Sequence, residues 1–108
     1  MEIRTIFDAC HFSPEKMQKI NLFATTELFF DVYCLEPGQK QKVHTHEKSS
    51  KVYVVLEGHA SFHVAGETED VGPGQAVLAE AGKPHGVENT RQERLVLLVV
   101  IAPPPSHG

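Results

Sequence analysis

The clearest local pattern in this chain is found at residues 74–89, which read GQAVLAEAGKPHGVEN. The segment starts at the end of a Gly-Pro-Gly break and continues as a short apolar run at 76–79. It breaks again at Gly82-Lys83-Pro84, directly before His85. Gly and Pro are the strongest local signals that regular structure ends, so a short apolar run between two such breaks predicts a β-strand.

The same succession of breaks and short apolar segments extends in both directions. Further breaks fall at Pro37-Gly38, Gly58-His59, Gly66-Glu67 and Asn89-Thr90. The segments rich in β-branched and aromatic residues are 28–35, 52–56, 60–65, 76–79 and 95–102. Short strands at this spacing predict an all-β fold with little helix, a sandwich or barrel. The only helix candidate is 13–17, where Ser13 can cap the first turn and Pro14 can occupy it.

Two of the predicted strands, 52–56 and 95–102, are apolar at every position rather than at every second one. A strand that is apolar on both faces must be covered on both faces. One face would fill a barrel, and the other would leave an apolar patch that soluble monomers rarely expose. We therefore expect a homodimer, and the alternative is that the N-terminal residues of the same chain cover this face.

The chain has 108 residues, the length of one ordinary domain, and no linker or internal repeat divides it. We expect an N-terminal arm at 1–24 that packs on the barrel or on a partner. The β-barrel itself is expected at 25–102. The remaining residues, 103–108, read PPPSHG and are expected to form a flexible tail.

Composition and charge restrict the partners and the cellular location of the protein. The net charge is −4 and the basic residues are scattered, which favours neither nucleic acid nor an anionic membrane as a partner. The longest apolar run, 95–102, is too short to span a bilayer, and residues 1–10 lack the pattern of a signal peptide. Two cysteines cannot form a disulfide framework, and reduced thiols are typical of a cytoplasmic protein. We therefore expect a cytoplasmic location.

Residues 43–46, VHTH, contain the sharpest chemical signal. Residues two apart in a strand face the same side, so the imidazoles of His44 and His46 are expected to project together. Neutral imidazole is a ligand for Zn, Fe, Cu, Ni and Mn. The pair alone is weak evidence for a metal site, and a third ligand is needed.

Two segments of the chain resemble the two sequence motifs of the cupin superfamily, in its small single-domain form. The second motif is Gly, five residues, Pro, one residue, Gly, two residues, His, three residues, Asn. It is matched by Gly74, Gly82, His85 and Asn89, with Glu80 in place of Pro. The first motif is Gly, five residues, His-x-His, three or four residues, Glu, six residues, Gly. It is matched by Gly38, His44, His46 and Gly58, with Lys51 in place of Glu.

This resemblance covers about residues 28–102 and implies a double-stranded β-helix, the jelly-roll-like barrel of cupins. It also implies one divalent transition metal ion on His44, His46 and His85. The ion is Fe, Zn, Mn, Ni or Cu, since imidazole ligands discriminate poorly among them. The residues expected to line the ligand pocket are Lys51, Tyr53, Phe62 and Asn89. Two alternatives stay open, that the histidines line a metal-free pocket and that Asn89 is a turn residue.

Lys51 is the departure from the motif with the largest chemical consequence. A protonated lysine has no lone pair to offer as a fourth ligand, so three protein ligands would leave two or three positions open to water or substrate. If Lys51 points inward, it adds to the positive field of the metal and favours an anionic, chelating molecule. If it points outward, it pairs with Glu47 or Glu57, a contact worth little.

Three classes of function are compatible with these residues. The first is a metal-dependent enzyme, an oxygenase, isomerase or lyase. The second is a binding or sensing module in which the metal fixes a small molecule without turnover, and the third is a structural or storage protein. No nucleophile motif and no phosphate-binding glycine loop is present. The sequence therefore favours a metal-binding protein that binds or acts on a small anionic molecule, and it leaves catalysis undecided.

Overall fold

The computed structural model describes residues 1–105, which form two antiparallel β-sheets. The elements in chain order are α1 (Ile6–Ala9), β1 (Gln18–Ala24), β2 (Phe29–Leu35), β3 (Lys40–His44), β4 (Ser50–Glu57), β5 (Ala60–Val64), β6 (Glu67–Val71), β7 (Ala76–Ala79), β8 (His85–Glu88) and β9 (Leu95–Ala102). The predicted all-β class with little helix is confirmed. Within residues 1–105, no helix is long and apolar enough to cross a membrane.

From β2 to β5 the chain alternates between the two sheets. The larger sheet has the strand order β1-β2-β9-β4-β7, and the smaller one has the order β3-β8-β5-β6. Every pairing within them is antiparallel. This order makes β3 and β8 neighbours although 40 residues separate their ends at His44 and His85. The histidine pair predicted on one strand and the third histidine predicted on another are thereby placed side by side.

The main core is formed by side chains of both sheets. In β4, Tyr53 and Val55 are fully buried, whereas Val52 and Val54 on the opposite face are half-buried. The core residues are Tyr33, Leu35, Tyr53, Val55, Ala60, Phe62, Val71, Val87, Leu95, Leu97 and Val99. Each large apolar side chain contributes about 1.5–3 kcal/mol by burial, so this layer is the main source of stability.

A second apolar cluster lies on the outer face of the larger sheet. Its buried members are Leu22, Val32, Cys34 and Val96. The residues that pack on it from the segment before β1 are Ile6, Ala9, Cys10 and Phe12. This segment therefore covers part of the outward face of β2 and β9 within the same chain.

The helix expected at 13–17 is wrong, and the one short helix in the described chain lies earlier, at Ile6–Ala9. Ser13 Oγ does accept a hydrogen bond from the Glu15 N–H at 3.2 Å, as a capping residue would. However, the Ser13 carbonyl accepts from Gln39 Nε2 at 2.7 Å rather than from the backbone N–H one helical turn later. A tertiary contact thus takes the acceptor that a first helical turn requires.

The remaining outward face, on β7, β4 and the second half of β9, carries aligned apolar side chains. The strand register places Leu78 opposite Val52 and Val52 opposite Val100. Leu78 is 56% exposed, and the two valines are half-buried. This row is an exposed apolar surface, defined here as the β7–β4–β9 face.

The tail expected at 103–108 lies partly outside the described residues, which end at Pro105. In the described part, Ser49 Oγ donates a hydrogen bond to the Pro103 carbonyl at 2.7 Å. This bond ties the start of the tail to the turn that precedes β4.

Candidate metal centre

The three histidines predicted as ligands come together at one end of the smaller sheet. His44 is the last residue of β3 and is paired directly with His85, the first residue of β8. His46 follows in the turn after β3. The ring centroids are 4.5 Å apart for His44 and His85, 4.9 Å for His44 and His46, and 5.7 Å for His46 and His85. One nitrogen of each ring lies within 4.8 Å of the others, a spacing that three ligands of one metal ion can adopt.

Backbone carbonyls orient two of the three imidazoles. His44 Nδ1 is 2.7 Å from the Lys42 carbonyl, and His85 Nδ1 is 2.9 Å from the Lys83 carbonyl. A carbonyl only accepts hydrogen bonds, so each Nδ1 carries the proton and Nε2 keeps its lone pair. Metal-ligating histidines are usually held in this way, with the other ring nitrogen donating to a fixed acceptor.

His85 Nε2 is buried and has no hydrogen-bond partner within the described part of the chain. The residue is only 1% exposed. A buried polar nitrogen without a partner costs about 1–3 kcal/mol, and such groups require an explanation. A metal ion bound to this lone pair removes the penalty, so the donor set fits a divalent transition metal.

The electrostatic setting keeps the three imidazoles neutral. Burial is the main cause that lowers the pKa of His44, His46 and His85 below the ordinary value. The positive charge of Lys51 lowers each pKa further. Because only the neutral ring offers a lone pair, the site is ready to bind a metal ion at neutral pH.

Lys51, at the position where the first motif usually has Glu, points into the barrel and is 2% exposed. Its Nζ lies 5.0 Å from the ring centroids of both Tyr33 and Tyr53. It also approaches the side-chain amide of Gln41. Of the two orientations considered for Lys51, the structure has the inward one, and Lys51 does not pair with Glu47 or Glu57.

Lys19 contacts the same Gln41 amide as Lys51 does. When the amide is oriented so that all its neighbours are satisfied, its oxygen accepts from Lys51 Nζ at 3.3 Å and Lys19 Nζ at 3.1 Å. Its nitrogen then donates to the Tyr53 hydroxyl at 2.8 Å. Two ammonium groups thus share one neutral acceptor beside the histidines.

Burial and the nearby positive charge of Lys19 both change the pKa of Lys51. Burial, and secondarily the Lys19 charge, lowers the pKa of Lys51 to about 7, while Asp31 opposes the change. The ammonium form is therefore poorly stabilised by the protein alone, and a bound anion would stabilise it. Burial also raises the pKa of Tyr33 and Tyr53, so both phenols stay protonated.

The aromatic residues form the wall next to the histidines. Tyr53 contacts Phe62 with ring centroids 5.0 Å apart, and it lies 6.4 Å from the His85 ring. Both Tyr53 and Phe62 are buried. Tyr53 offers a hydroxyl near the site, and Phe62 offers only apolar surface.

Asn89 requires a correction, because its side chain is used by a loop and not by the pocket. Its Nδ2 donates to the carbonyls of Leu35 at 3.1 Å and Glu93 at 2.8 Å, and its Oδ1 accepts from the Arg91 N–H at 3.1 Å. It follows the end of β8, whereas His85 begins that strand. The interpretation of Asn89 as a turn residue is the one that the geometry supports.

The residues near the site that sequence reasoning missed are Gln41, Lys19 and Tyr33. The cause for Gln41 is a register shift in the pairing of β3 with β8 between Gln41 and His44. If side chains simply alternated between the two faces of β3, Lys42 would point to the same side as His44 and Gln41 to the opposite side. The bulge reverses this, so Gln41 points inward. Tyr33 lies in the part of β2 that is apolar and buried on both faces, so alternation does not assign it to the inner face.

Two clefts differ in their relation to the histidines. A cleft of about 480 Å³ opens beside His46 and is lined by residues 45–49 and 103–105. A cleft of about 530 Å³ lies between β5–β6 and β7 and includes Phe62 but none of the three histidines. Of these two clefts, the smaller one is therefore the cleft that a histidine of the candidate metal centre lines.

Gly86 allows a test of how closely β3 and β8 must approach. A Cβ at this position would lie 2.8 Å from the Gln41 carbonyl oxygen and 2.9 Å from the Val43 nitrogen. Both are backbone atoms, so Gly86→Ala must displace β3 and move His44 away from His85. We expect a loss of about 1–3 kcal/mol in the free energy of unfolding, measured in urea. Metal affinity should fall at least tenfold in a titration.

Gly72→Ala is the matched control for this substitution. A Cβ there would meet side chains and no backbone among its nearest neighbours, His59 at 3.2 Å and Gln75 at 3.8 Å. Its metal affinity should equal that of the parent. If Gly86→Ala also binds metal as the parent does, close packing of β3 on β8 does not set the ligand geometry.

Comparison with known proteins gives the family. Residues 31–101 match the family model described as the cupin domain, so the chain belongs to the cupin family. The structure of the TT1209 protein from Thermus thermophilus superposes with a TM-score of 0.95 at 47% identity, covering 97% of this chain and 100% of that one.

Two further relatives extend the comparison. An uncharacterised protein with a double-stranded β-helix domain from Klebsiella pneumoniae superposes with a TM-score of 0.88 at 23% identity, covering 95% of this chain and 90% of that one. The predicted double-stranded β-helix is thus confirmed as the fold. An oxalate-binding protein from Thermotoga maritima is 33% identical over 90 residues, or 82% of this chain and 69% of the relative.

Proposed function

We propose that this cupin holds one divalent transition metal ion on His44, His46 and His85 and binds a small dicarboxylate next to it. The observation that carries the proposal is the buried, unpartnered Nε2 of His85 among three facing imidazoles. The donor set of three neutral nitrogens is compatible with Fe, Zn, Mn, Ni or Cu.

The charge around the histidines supports an anionic ligand. Three neutral imidazoles leave the charge of a divalent ion uncompensated, and the buried Lys51 stands where a carboxylate is usual in this family's motif. Lys19 adds a second ammonium group that reaches the same amide oxygen of Gln41. A ligand with two carboxylates matches this arrangement, because one can approach the metal while the other pairs with Lys51.

The comparison with the Thermotoga maritima oxalate-binding protein supports the same class of ligand. Oxalate is the smallest dicarboxylate, and the cleft of about 480 Å³ beside His46 can accommodate it. We therefore choose oxalate as the first probe, with acetate as the monocarboxylate control.

The test is calorimetric titration of the metal-loaded protein with oxalate and with acetate. Oxalate should bind at one site per chain and at least tenfold more tightly than acetate, because only oxalate can contact both positive groups. The same titration after metal removal should show weak binding or none. Equal affinities for the two anions would contradict a dicarboxylate site.

A metal-dependent enzyme, an oxygenase, isomerase or lyase, is the second candidate. It is favoured by the presence of only three protein ligands, which leaves coordination positions open, as catalytic sites require. A bound ion would supply Lewis-acid or redox chemistry there. Oxygen uptake with the Fe(II)-loaded protein and its bound anion separates an oxygenase from a binding module, which would consume none.

We also propose that the protein is a cytoplasmic homodimer built on the β7–β4–β9 face, with the domain limits predicted above. The aligned Leu78, Val52 and Val100 support this pairing, since the segment before β1 packs on the other part of the sheet. A standard interface buries about 800 Å² per subunit.

Light scattering at micromolar concentration measures this directly. The mass should be twice the 12.0 kDa of one chain, and Leu78→Glu should return it to one chain by placing a charge in the interface. A parent mass near 12.0 kDa would contradict the dimer. Within residues 1–105, the segment before β1 would then be the cover of the outer face of the larger sheet.

A further inference from the structure

The two cysteines of the chain lie in facing layers outside the metal centre. Cys34 belongs to β2, points to the outer face of the larger sheet and is fully buried. Cys10 follows α1 directly, is half-buried and packs on the cluster that contains Cys34. One cysteine therefore belongs to the N-terminal segment and the other to the sheet that this segment covers.

The apolar cluster on the outer face brings the two cysteines together, because Cys34 is one of its four buried members and Cys10 packs against it. Cys10 and the backbone of His11 both influence the pKa of the Cys34 thiol, as groups next to it do. The Cys10 thiol also approaches the Ile6 carbonyl, with sulfur and oxygen 3.6 Å apart. Cys10 therefore lies beside Cys34 in this cluster, and both cysteines are free thiols.

We infer that Cys10 and Cys34 are a reversible redox pair, which a low-molecular-weight disulfide oxidises to an intramolecular disulfide. The bond would fasten the N-terminal segment to the outer face of β2. Neither the metal nor the proposed ligand takes part in this modification, because both cysteines belong to the outer cluster and not to the metal centre.

The chemistry balances as two successive exchanges with glutathione disulfide. The more accessible Cys10 thiolate attacks one sulfur, the glutathione S–S bond breaks, and one glutathione thiolate leaves. Cys34 then gives its proton to solvent, and its sulfur attacks the Cys10 sulfur of the mixed disulfide and releases the second glutathione. Two protein thiols are oxidised, and one glutathione disulfide is reduced to two thiols.

The order of the two exchanges follows from burial. Cys34 is enclosed in apolar surroundings, and this burial raises the pKa of its thiol to about 11. It forms a thiolate rarely, so Cys10 reacts first and ring closure is the slower step.

Closure would constrain a loop of 25 residues, from Cys10 to Cys34. Cross-linking a loop of this length restricts the unfolded chain, and for a small domain the melting temperature should rise by roughly 10 °C. The loop contains all of β1, including Lys19, whose ammonium group reaches Gln41. The oxidised form would therefore hold the strand that carries Lys19 more firmly.

The experiment uses the full chain equilibrated in glutathione buffers of increasing oxidised fraction. After acid quenching, the parent should lose the mass of two hydrogen atoms, and its thiol titration under denaturing conditions should fall from two to none. Proteolysis without reductant should yield one peptide pair joined through Cys10 and Cys34. The melting temperature should rise by roughly 10 °C and return when reductant is added.

Two variants complete the test. Cys10→Ser should keep one thiol and show no rise in melting temperature, and Cys34→Ala should stop at the mixed disulfide on Cys10. The inference is overturned if the parent also stops at the mixed disulfide, or if the cross-link joins two chains on a non-reducing gel. If the disulfide forms and the melting temperature does not change, the bond does not fasten the N-terminal segment to β2.

Discussion

His85→Ala is expected to abolish metal binding, from about one ion per chain in the parent to near none. One of three ligands is lost, so affinity should fall by more than the 10- to 100-fold typical of removing a group that only orients a ligand. Elemental analysis after anaerobic purification measures the metal content. His85→Gln keeps most of the side-chain volume, and its loss of metal would show that the effect is not caused by a cavity.

Thermal unfolding gives a second measurement of the same prediction. An ion that binds only the folded state at 100 times its Kd stabilises it by about 2.7 kcal/mol, or roughly 10 °C for a domain of this size. A chelator should therefore lower the Tm of the parent and leave that of His85→Ala unchanged. His59→Ala, an exposed histidine outside the cluster, should behave as the parent does. Full metal content in His85→Ala would mean that the ligand set is wrong.

Lys51→Glu is expected to increase the affinity for the metal ion and to decrease the affinity for oxalate. The carboxylate supplies a fourth, negatively charged ligand, so metal affinity should increase at least tenfold. Oxalate should bind about 10- to 100-fold more weakly, because a hydrogen bond to a charged group is replaced by repulsion. Parallel titrations of both proteins with the same metal, and then with oxalate, measure the two effects.

Lys40→Glu is the matched control, since it makes the same change of charge on β3 with an exposed side chain. It should change either affinity by less than about threefold, the scale of a surface charge effect. Lys51→Met separates the two roles, because it removes the ammonium group without adding a ligand. If the Lys51→Glu and parent curves superimpose, Lys51 contributes to neither binding event.

Much of the fold could be predicted because turn signals and short apolar segments are local properties. The ligand set could be proposed because the spacing of His44, His46 and His85 matches two motifs in order. The orientation of Lys51 could not be predicted, since its strand is apolar on both faces and alternation there does not distinguish inside from outside. The structure resolves it through the burial of Tyr53 and Val55 on the same face.

Other features depend on contacts that no local pattern contains. Gln41 is buried beside Lys51 because the register of β3 against β8 shifts between Gln41 and His44. Lys19 contacts the Gln41 amide from β1, a strand that precedes both sequence motifs. Asn89 matches the second motif, but its side chain forms hydrogen bonds with three backbone groups of a loop and does not line the pocket. The helix expected at 13–17 failed because Gln39, 26 residues along the chain from Ser13, takes the carbonyl that the helix needs.

The carbonyls that hold His44 and His85 have an evolutionary consequence. Each belongs to the residue two positions earlier, Lys42 or Lys83, and it is part of the main chain. A histidine oriented by an aspartate loses its partner through a single substitution, whereas every amino acid at 42 or 83 still provides a carbonyl. The flanking sequence can therefore diverge while the ligands keep their tautomer and direction. Selection is then free to alter residues such as Lys51, and with them the molecule that is bound.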